Sequence, residues 1–525
     1  MADKKKRRTV FSFLRKILKF LLSRMVIVGL LLVAELCFLF LVMLRFGEYL
    51  PVVYSFSAVL GVLCVCRIIR NDENPGYKIT WIIFVLLTQP FGTVVYMVFS
   101  GNKLSKRTKH EMSRITSLTS HSADKRDDVL REIAAASENA GRQSRYIADM
   151  ACCPPYKNTE SIYLPTGEVY FEEMCKILRL AEKYIFIEYF IIAQGEMWDS
   201  VYGILREKAA CGVDVRVIYD DVGSIMRLPY WTPKQMHADG IQCAVFHPFI
   251  PVLDARQNNR DHRKICVVDG KYALTGGINI GDEYCNRISR FGYWKDNGVL
   301  LRGEAAWSFT VMFLTIWDYL IGGTHVENYD EYRPDPSVWQ TFTGTGYVQP
   351  YTDNPLDDEA LAENIYLHIL YHATRYVWIT TPYLIIDEQM KQALCTAAKS
   401  GVDVRIITPG IPDKKTVNET TKAYYAYLLK NGVKVYEYTP GFLHAKTFLC
   451  DDLYGTVGSV NLDFRSLYLH FECGVWLYKT ACLADMKTDF VRMFADSREI
   501  TEKDCKVGLL RDLFRAVLEI MSPLM

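Results

Sequence analysis

The sequence predicts an α/β protein of two duplicated domains, each a mixed sheet flanked by helices, that share one site and follow N-terminal transmembrane helices. The duplication is visible in a sparse set of polar residues that occurs twice at one constant offset, the 182 residues between positions 262 and 444. The members are His262, Lys264, Asp269, Gly276 and Asn279, then His444, Lys446, Asp451, Gly458 and Asn461. A repeat of this size indicates that each domain supplies part of one site.

Apolar segments repeat in the same order. Residues 184–187 recur as 376–379, and residues 212–218 recur as 401–407. A helical pattern precedes both copies of the first segment. Strands that alternate with amphipathic helices indicate βαβ units and a mixed, largely parallel sheet with helices on both faces. We expect the two domains to pack sheet edge to sheet edge, with the site at their seam.

The first 24 residues are basic and amphipathic. The formal net charge of the whole 525-residue chain is only +1, but this segment contains nine Lys or Arg residues against one acid, Asp3. Interleaved apolar residues give it a stripe. We therefore expect residues 1–24 to lie on an anionic membrane surface, and a solvated basic tail is the alternative.

Three apolar spans follow, at 25–44, 52–66 and 79–99, and predict a membrane-anchoring region at 25–100. The first span is long enough to cross a bilayer, which takes about 20 apolar residues. Buried helices of a soluble protein are the alternative, and three successive spans disfavour it. The sequence thus predicts a multi-pass protein of the cell membrane.

Basic residues on both sides of this region favour the cytoplasmic side for both of its ends. One span is then re-entrant, and the third is the candidate because Gln89 and Pro90 interrupt it. The catalytic domains would lie on the cytoplasmic side. Fifteen Cys residues without a metal-ligand spacing favour reduced thiols, which is compatible with that side.

Composition gives the remaining boundaries. Residues 101–158 are polar and predict a linker with one helix near 127–136. The later segments are a first domain at 159–337, a second domain at 338–486 and a C-terminal helical segment at 487–525. The apolar stripe of the last segment favours docking on the core, and contact with a membrane is the alternative.

The repeated polar residues suit a phosphodiester substrate. In each domain the His and the Lys are two positions apart, and a strand points such residues to one face. Two ammonium groups and two Asn amides can hold the non-bridging oxygens and offset the charge of the transition state, so neither a metal nor another cofactor is expected. One neutral His can attack phosphorus while the other protonates the leaving alcohol. A lone buried His is usually structural, but a pair in repeated motifs favours catalysis.

The pattern His-x-Lys, four residues, Asp, and then Gly-Ser-x-Asn is similar to that of the phospholipase D superfamily. Longer stretches resemble the bacterial cardiolipin synthases from about residue 50 onward, such as Asn-Arg-Asp-His-Arg-Lys at 259–264 and Gly-Phe-Leu-His-Ala-Lys at 441–446. The resemblance implies two phospholipase D-like domains. It also implies a catalytic set of His262, Lys264, Asp269, His444, Lys446 and Asp451, with the substrate phosphate bound by Asn279, Asn461 and Ser459.

The chain departs from the superfamily pattern in the first domain. Gly277 stands where a Ser is expected, whereas Ser459 keeps the hydroxyl in the second domain. Superfamily members place a His-orienting carboxylate eleven residues after the Asn, and Glu472 has that position in the second domain. Arg290 has it in the first, so Asp296 is the candidate for a displaced equivalent.

These positions assign roles to the two histidines. By resemblance His262 is the nucleophile and His444 the general acid, and we expect Glu472 to orient His444 and to stabilise its charged form. Asp269 and Asp451 belong to the motif, but their places at strand ends favour a turn or ion-pair role over chemistry.

The resemblance implies a phosphatidyltransferase, a cardiolipin synthase, that moves a phosphatidyl group between two phosphatidylglycerol molecules and releases cardiolipin and glycerol. Its expected partners are these lipids and an anionic membrane.

A phospholipase D or another phosphatidyltransferase, such as a phosphatidylserine-type synthase, is the alternative. No basic stripe with aromatic partners lies in the catalytic region, so no nucleic acid is expected. A catalytically silent membrane scaffold is disfavoured by the complete pair of motifs. The acceptor alcohol and the oligomeric state stay open.

Overall fold

The computed structural model describes residues 37, 40, 41, 50–88, 91–99, 106–119, 122, 125–249, 258–322, 326–357 and 359–524. The chain forms two compact units, one of residues 1–102 with 249–257 and one of residues 103–248 with 258–525. The predicted basic segment 1–24, nearly all of the predicted span 25–44 and the Gln89–Pro90 interruption lie outside the described residues.

The described residues of the first unit form three helices, α1 Leu50–Arg70, α2 Pro75–Leu87 and α3 Phe91–Phe99, which contact one another. Asn74 caps α2 by accepting a hydrogen bond from the Gly76 N–H at 2.9 Å, and Pro75 suits the first helical position. The predicted span 52–66 lies within α1, and the predicted span 79–99 is divided between α2 and α3. Within the described part of the chain, no helix has both the length and the apolar character that a membrane crossing requires. The predicted transmembrane helices are thus not confirmed.

Three helices begin the second unit: α4 Lys106–Thr119, α5 Asp127–Ala136 and α6 Glu138–Ala151. They occupy the segment that composition predicted to be a polar linker, and only α5 was expected. The polar side chains of α6 explain the difference, because several are buried. Gln143 donates to the Ile365 carbonyl at 3.0 Å, and Ser144 donates to the Gln349 side chain at 2.7 Å. Polarity here reflects hydrogen bonds to the second domain rather than exposure to solvent.

The first domain is a seven-stranded mixed sheet in the order β1-β8-β6-β5-β2-β3-β4. Its strands are β1 Thr159–Leu164, β2 Tyr184–Tyr189, β3 Asp214–Asp220, β4 Gln242–Phe246, β5 Lys264–Val268, β6 Tyr272–Gly276 and β8 Gly298–Gly303, with β7 Tyr293–Lys295 outside the sheet. Its helices are α7 Gly167–Arg179, α8 Glu196–Ala210, α9 Asp221–Ser224, α10 Thr232–Ala238, α11 Ala306–Leu320 and α12 Pro336–Trp339.

The second domain repeats this plan in an eight-stranded sheet in the order β19-β13-β12-β10-β15-β16-β18-β9. Its strands are β9 Tyr347–Asp353, β10 Tyr376–Thr380, β12 Asp403–Pro409, β13 Lys434–Tyr438, β15 Thr447–Cys450, β16 Tyr454–Gly458, β18 Glu472–Tyr478 and β19 Ser497–Glu499, with the short strands β11 Leu384–Ile385, β14 Gly441–Leu443 and β17 Leu462–Asp463 outside the sheet. Its helices are α13 Leu361–His372, α14 Glu388–Lys399, α15 Lys415–Lys430, α16 Phe464–Tyr468, α17 Cys482–Ala495 and α18 Leu509–Met521.

Both sheets are mixed, as expected, but antiparallel pairs outnumber parallel ones, so the expectation of largely parallel sheets was wrong. Strands β2, β3 and β4 run parallel, as do β10, β12 and β13. The strand after each motif instead returns by a tight turn, which makes β5 antiparallel to β6 and β15 antiparallel to β16.

The sheets pack face against face, and the expected edge-to-edge packing was wrong. Central strands β6 and β8 of the first sheet contact β16 of the second, and β6 also contacts β18. Alternate residues on the facing sides, such as Val267, Val299, Val457 and Val475, belong to one buried apolar cluster together with α11 and α17. Apolar faces bury far more area than strand edges do, which makes this arrangement the stable one.

Candidate active site

Each histidine is held through its backbone by the opposite domain. His262 lies just before β5, and its N–H donates to the Phe471 carbonyl at 2.9 Å. His444 lies just before β15, and its N–H donates to the Lys295 carbonyl at 2.7 Å. A parallel bridge at Asp261 and the parallel pairing of β14 with β7 extend these contacts. The two motifs are thereby brought to one site between the domains.

The carboxylates that orient the histidines are exchanged between the domains. His262 Nδ1 lies 2.9 Å from Glu472 Oε1, and His444 Nδ1 lies 2.6 Å from Asp296 Oδ2. Asp296 therefore contacts a histidine, as expected of a displaced equivalent, but the expected pairing of Glu472 with His444 was wrong. Each carboxylate directly follows the residue whose carbonyl binds the opposite histidine, so the crossed backbone contacts impose crossed side-chain pairs.

Burial sets the charge of the histidines. It lowers the pKa of His262 to about 3 and that of His444 to about 4; the adjacent Lys264 and Lys446 act in the same sense, and the carboxylates oppose them. Both imidazoles are therefore neutral at neutral pH. A neutral ring that donates Nδ1–H to a carboxylate keeps its lone pair at Nε2.

The carboxylates stay ionised although they are fully buried. Burial raises the pKa of Glu472 and of Asp296, but the contacts with the histidines and the charges of the lysines outweigh it and hold both pKa values below the usual range. Lys264 and Lys446 are buried as well, and each ammonium donates to the backbone carbonyl of its own motif histidine. Burial lowers the pKa of Lys264 to about 8 and that of Lys446 to about 7.

The expected phosphate ligands have different surroundings. Asn279 accepts from the Ile191 N–H at 3.0 Å and donates to the Tyr284 hydroxyl at 2.9 Å. The buried side-chain oxygen of Asn461 makes no hydrogen bond with any residue that the structure describes. Ser459 donates to Glu472 Oε2 and so fixes the carboxylate behind His262. Its expected contact with the substrate phosphate stays a prediction.

Gly277 departs from the superfamily pattern for a steric reason. A Cβ atom at this position would lie 2.2 Å from Asp296 Oδ1. The carboxylate thus occupies the space that a serine side chain fills in the second domain, and the hydroxyl is lost because Asp296 reaches His444 through that space.

Asp269 and Asp451 make structural contacts, as their places at strand ends indicated, and the catalytic role implied by the resemblance stays a prediction. They follow β5 and β15 at the strand ends opposite the histidines, with φ of 53° and 56°. Asp269 accepts hydrogen bonds from the backbone N–H groups of Glu182, Lys183 and Tyr184 at 2.8 to 2.9 Å. Asp451 accepts in the same way from residues 374–376. Each carboxylate fastens the start of a neighbouring strand.

Two residues that sequence reasoning missed flank the histidines. The His470 ring lies 5.5 Å from the His262 ring, and the Trp294 ring lies 5.4 Å from the His444 ring. Each stands two positions before the carboxylate of its own domain, and that shared spacing is a signal from which both were detectable.

The segment before His262 is held by a buried ionic network that the sequence did not reveal. Arg263 forms an ion pair with Glu188 and contacts Asp261 at 3.2 Å. The Asp261 N–H donates to Asp220 at 3.2 Å, and Arg260 lies 3.6 Å from the same carboxylate. These contacts fix the backbone that presents the histidine.

Comparison with known proteins identifies the family. A family model described as cardiolipin synthase, PLD-like domain, matches residues 174–290 and 366–494, and one described as phospholipase D-nuclease N-terminal matches residues 59–101. Cardiolipin synthase 2 of Bacillus anthracis is 31% identical over 469 residues, which cover 89% of this chain and 90% of that protein. The chain belongs to the cardiolipin synthase family.

Three further matches cover most of the chain. A cardiolipin synthase of Geobacillus sp. is 32% identical over 478 residues, covering 89% of this chain and 93% of the relative. An uncharacterized protein of Streptococcus mutans is 42% identical over 465 residues, covering 88% of this chain and 99% of the relative. The crystal structure of a phosphatidylserine synthase from Haemophilus influenzae matches with a TM-score of 0.55 at 14% identity and covers 73% of this chain and 99% of that one. This last likeness establishes a shared fold.

Proposed function

We propose that the enzyme transfers a phosphatidyl group from one phosphatidylglycerol to another and releases cardiolipin and glycerol through a phosphohistidine intermediate. The observation that carries this proposal is the pair of neutral histidines, each hydrogen-bonded by the other domain's carboxylate and each beside a buried lysine. Such a pair supplies a nucleophile and a proton carrier to one phosphodiester.

His262 is the nucleophile and His444 the acid in this scheme. The Glu472 carboxylate is shared between His262 and the Ser459 hydroxyl, which weakens its support of an imidazolium at His262. Asp296 lies closer to its histidine, at 2.6 Å, and a short charge-assisted contact favours the imidazolium at His444. The roles expected from the sequence are therefore kept, although the carboxylate that supports His444 is Asp296.

In the first step the Nε2 lone pair of His262 attacks phosphorus. The N–P bond forms, the bond to the glycerol oxygen breaks, and that oxygen takes the Nε2 proton of His444, which is protonated in the substrate complex because the bound anion raises its pKa. In the second step the primary hydroxyl of another phosphatidylglycerol gives its proton to His444 and attacks phosphorus, which breaks the N–P bond and forms the diester of cardiolipin. The substrate anion raises the pKa of His444 and of both lysines, because a nearby negative charge favours their protonated forms.

A phospholipase D, or a phosphatidyltransferase with another acceptor, uses the same groups, so the products decide between them. Purified full-length enzyme would be incubated in detergent micelles with labelled phosphatidylglycerol, without nucleotide or metal and with a chelator. We expect cardiolipin and glycerol in equal amounts. Phosphatidic acid as the main product would assign a phospholipase, and labelled lipid formed from added serine would assign another acceptor.

An anionic membrane is the proposed partner, and the C-terminal helix α18 supports it. Arg511 and Arg515 anchor one face of α18 to Glu419 of α15. The apolar side chains of the other face are exposed, with values from 40% to 84%, and comprise Leu509, Leu510, Leu513, Phe514, Val517 and Ile520. This arrangement favours contact with lipid over docking of the stripe on the core. Attachment to the cell membrane with the catalytic domains on the cytoplasmic side completes the proposal.

A further inference from the structure

A third histidine lies beside the pair of His262 and Glu472. His470 Nδ1 is 3.8 Å from Glu472 Oε1, is buried and makes no hydrogen bond with any residue of the described ranges. One ligand atom from each of His262, His470 and Glu472 lies within 4.8 Å of the other two. An unpartnered imidazole nitrogen so close to a second imidazole and a carboxylate is an arrangement that a metal ion satisfies.

The other domain lacks this third donor. Trp294 has the equivalent position beside His444 and Asp296, and an indole offers an N–H but no lone pair to a metal. Only one of the two histidine–carboxylate pairs is therefore extended to three ligands.

We propose that His262, His470 and Glu472 bind a transition metal ion of the zinc class and that this ion switches the enzyme off. Two imidazoles and one carboxylate form a donor set that Zn²⁺ accepts, with water in the fourth position. Mg²⁺ and Ca²⁺ take oxygen ligands and do not fit this set. The ammonium of Lys264 lies close to the same carboxylate and opposes a second cation, so binding is reversible rather than permanent.

The inhibition follows from the tautomer of His262 and rests on the proposed function, in which this residue attacks phosphorus. The ion replaces the proton at Nδ1, and the neutral ring then carries its single proton at Nε2. The lone pair that must attack phosphorus is thereby removed. The side chains of His262 and His470 are 9% and 11% exposed, which leaves a path for a small ion.

The test uses untagged full-length enzyme and two probes. Co²⁺ replaces Zn²⁺ as a spectroscopic probe, because its visible absorption reports a four-coordinate nitrogen and oxygen site without any substrate. ZnCl₂ is titrated into the micelle assay with phosphatidylglycerol, and inhibition is expressed relative to the metal-free rate of each variant. We expect one equivalent of Co²⁺ to bind and Zn²⁺ to inhibit, with full recovery after chelation.

His470→Asn and His470→Gln should each weaken Co²⁺ binding and raise the half-inhibiting Zn²⁺ concentration by about tenfold or more, since one of three protein ligands is lost. His372→Asn is the matched control. The stacked rings of His368 and His372 lie 4.1 Å apart on α13, and this pair is the alternative site at which the metal ion could bind. Thermal unfolding of each variant establishes that it is folded.

Equal Zn²⁺ sensitivity of wild type and both His470 variants would overturn the metal proposal, as would relief of inhibition by His372→Asn. A wild-type enzyme that is active but binds no Co²⁺ would overturn the metal proposal and leave the proposed function standing. An enzyme that binds Co²⁺ through His470 but makes no cardiolipin would instead overturn the proposed function and leave the metal site standing.

Discussion

The two domains present the same His and Lys pair but surround it differently. In the first, His262 contacts a glutamate that is also held by a serine, and an imidazole flanks the ring. In the second, His444 contacts an aspartate that fills the space of the missing serine, and an indole flanks the ring. The glutamate and the aspartate each come from the opposite domain. Neither domain alone therefore holds an oriented histidine, and in the proposed mechanism the difference in surroundings separates a nucleophile from an acid.

The largest effect is expected from the histidines themselves. His262→Ala and His444→Ala should each lower kcat by about 10⁴-fold or more, because groups that act as a unit fail together. Enzyme mixed with labelled phosphatidylglycerol and quenched in base should carry label on the His262 peptide. Label on the His444 peptide would reverse the roles of the two domains. Near-normal turnover of either variant would contradict the proposal that both domains supply essential groups to one site.

Substitution of the exchanged carboxylates should have the next largest effect. Glu472→Gln and Asp296→Asn should each lower kcat by about 10²- to 10³-fold, because each loses the charge that orients its histidine. A phosphodiester with a p-nitrophenolate leaving group needs no proton, so it should restore the rate of Asp296→Asn but not that of Glu472→Gln. Restoration of both variants, or of neither, would contradict the assignment of the acid to His444.

Substitution of Asp269 and substitution of Asp451 should have equal effects, and each should change the stability of the enzyme rather than its chemistry. Asp269→Ala leaves three N–H groups, one of them buried, without their acceptor and should lower the free energy of unfolding by about 2 kcal/mol. Asp451→Ala should do the same. Urea unfolding measures the loss, while kcat at low temperature should stay near that of wild type. A large loss of kcat in the folded variants would restore these residues to the chemistry.

The lysines should steepen the alkaline limb of the pH profile of kcat/KM. That profile follows the free enzyme, in which the acid His444 loses its proton above about pH 4. A lysine is charged only below its pKa, and the values are about 7 for Lys446 and about 8 for Lys264. The value of kcat/KM for the anionic substrate should therefore fall more steeply above pH 7, by about a further tenfold per pH unit. Lys446→Arg stays charged and should move the onset of the steeper fall toward pH 8, whatever its absolute rate. An unmoved onset would show that Lys446 does not set it.

The smallest effect is expected from helix α18, which packs against α15 of the second domain. Leu510→Glu with Leu513→Glu should reduce binding to phosphatidylglycerol vesicles by about two- to fivefold, since the basic N-terminal segment remains. Activity in micelles should change less. Val491→Glu, at a residue of α17 that is 54% exposed, is the control. Equal loss of vesicle binding in the control would remove the special role of the stripe.

The duplication, the α/β class and the two His and Lys pairs follow from the amino-acid sequence alone. These depend on spacing within one strand, where alternate residues share a face whatever lies around them. The sequence also identified both carboxylates, because each follows its motif at a short distance along the chain. The order of residues along the chain therefore predicts which residues form the site and a candidate role for each.

The pairing of these residues across the two domains depends on the tertiary structure. Glu472 reaches His262, and Asp296 reaches His444, because each adjacent backbone carbonyl binds the histidine of the opposite domain. The same contacts turn the Ser459 hydroxyl onto a carboxylate and bring His470 beside His262. Contacts between residues 210 and 148 positions apart depend on how two sheets pack face to face, and no spacing along the sequence encodes that packing.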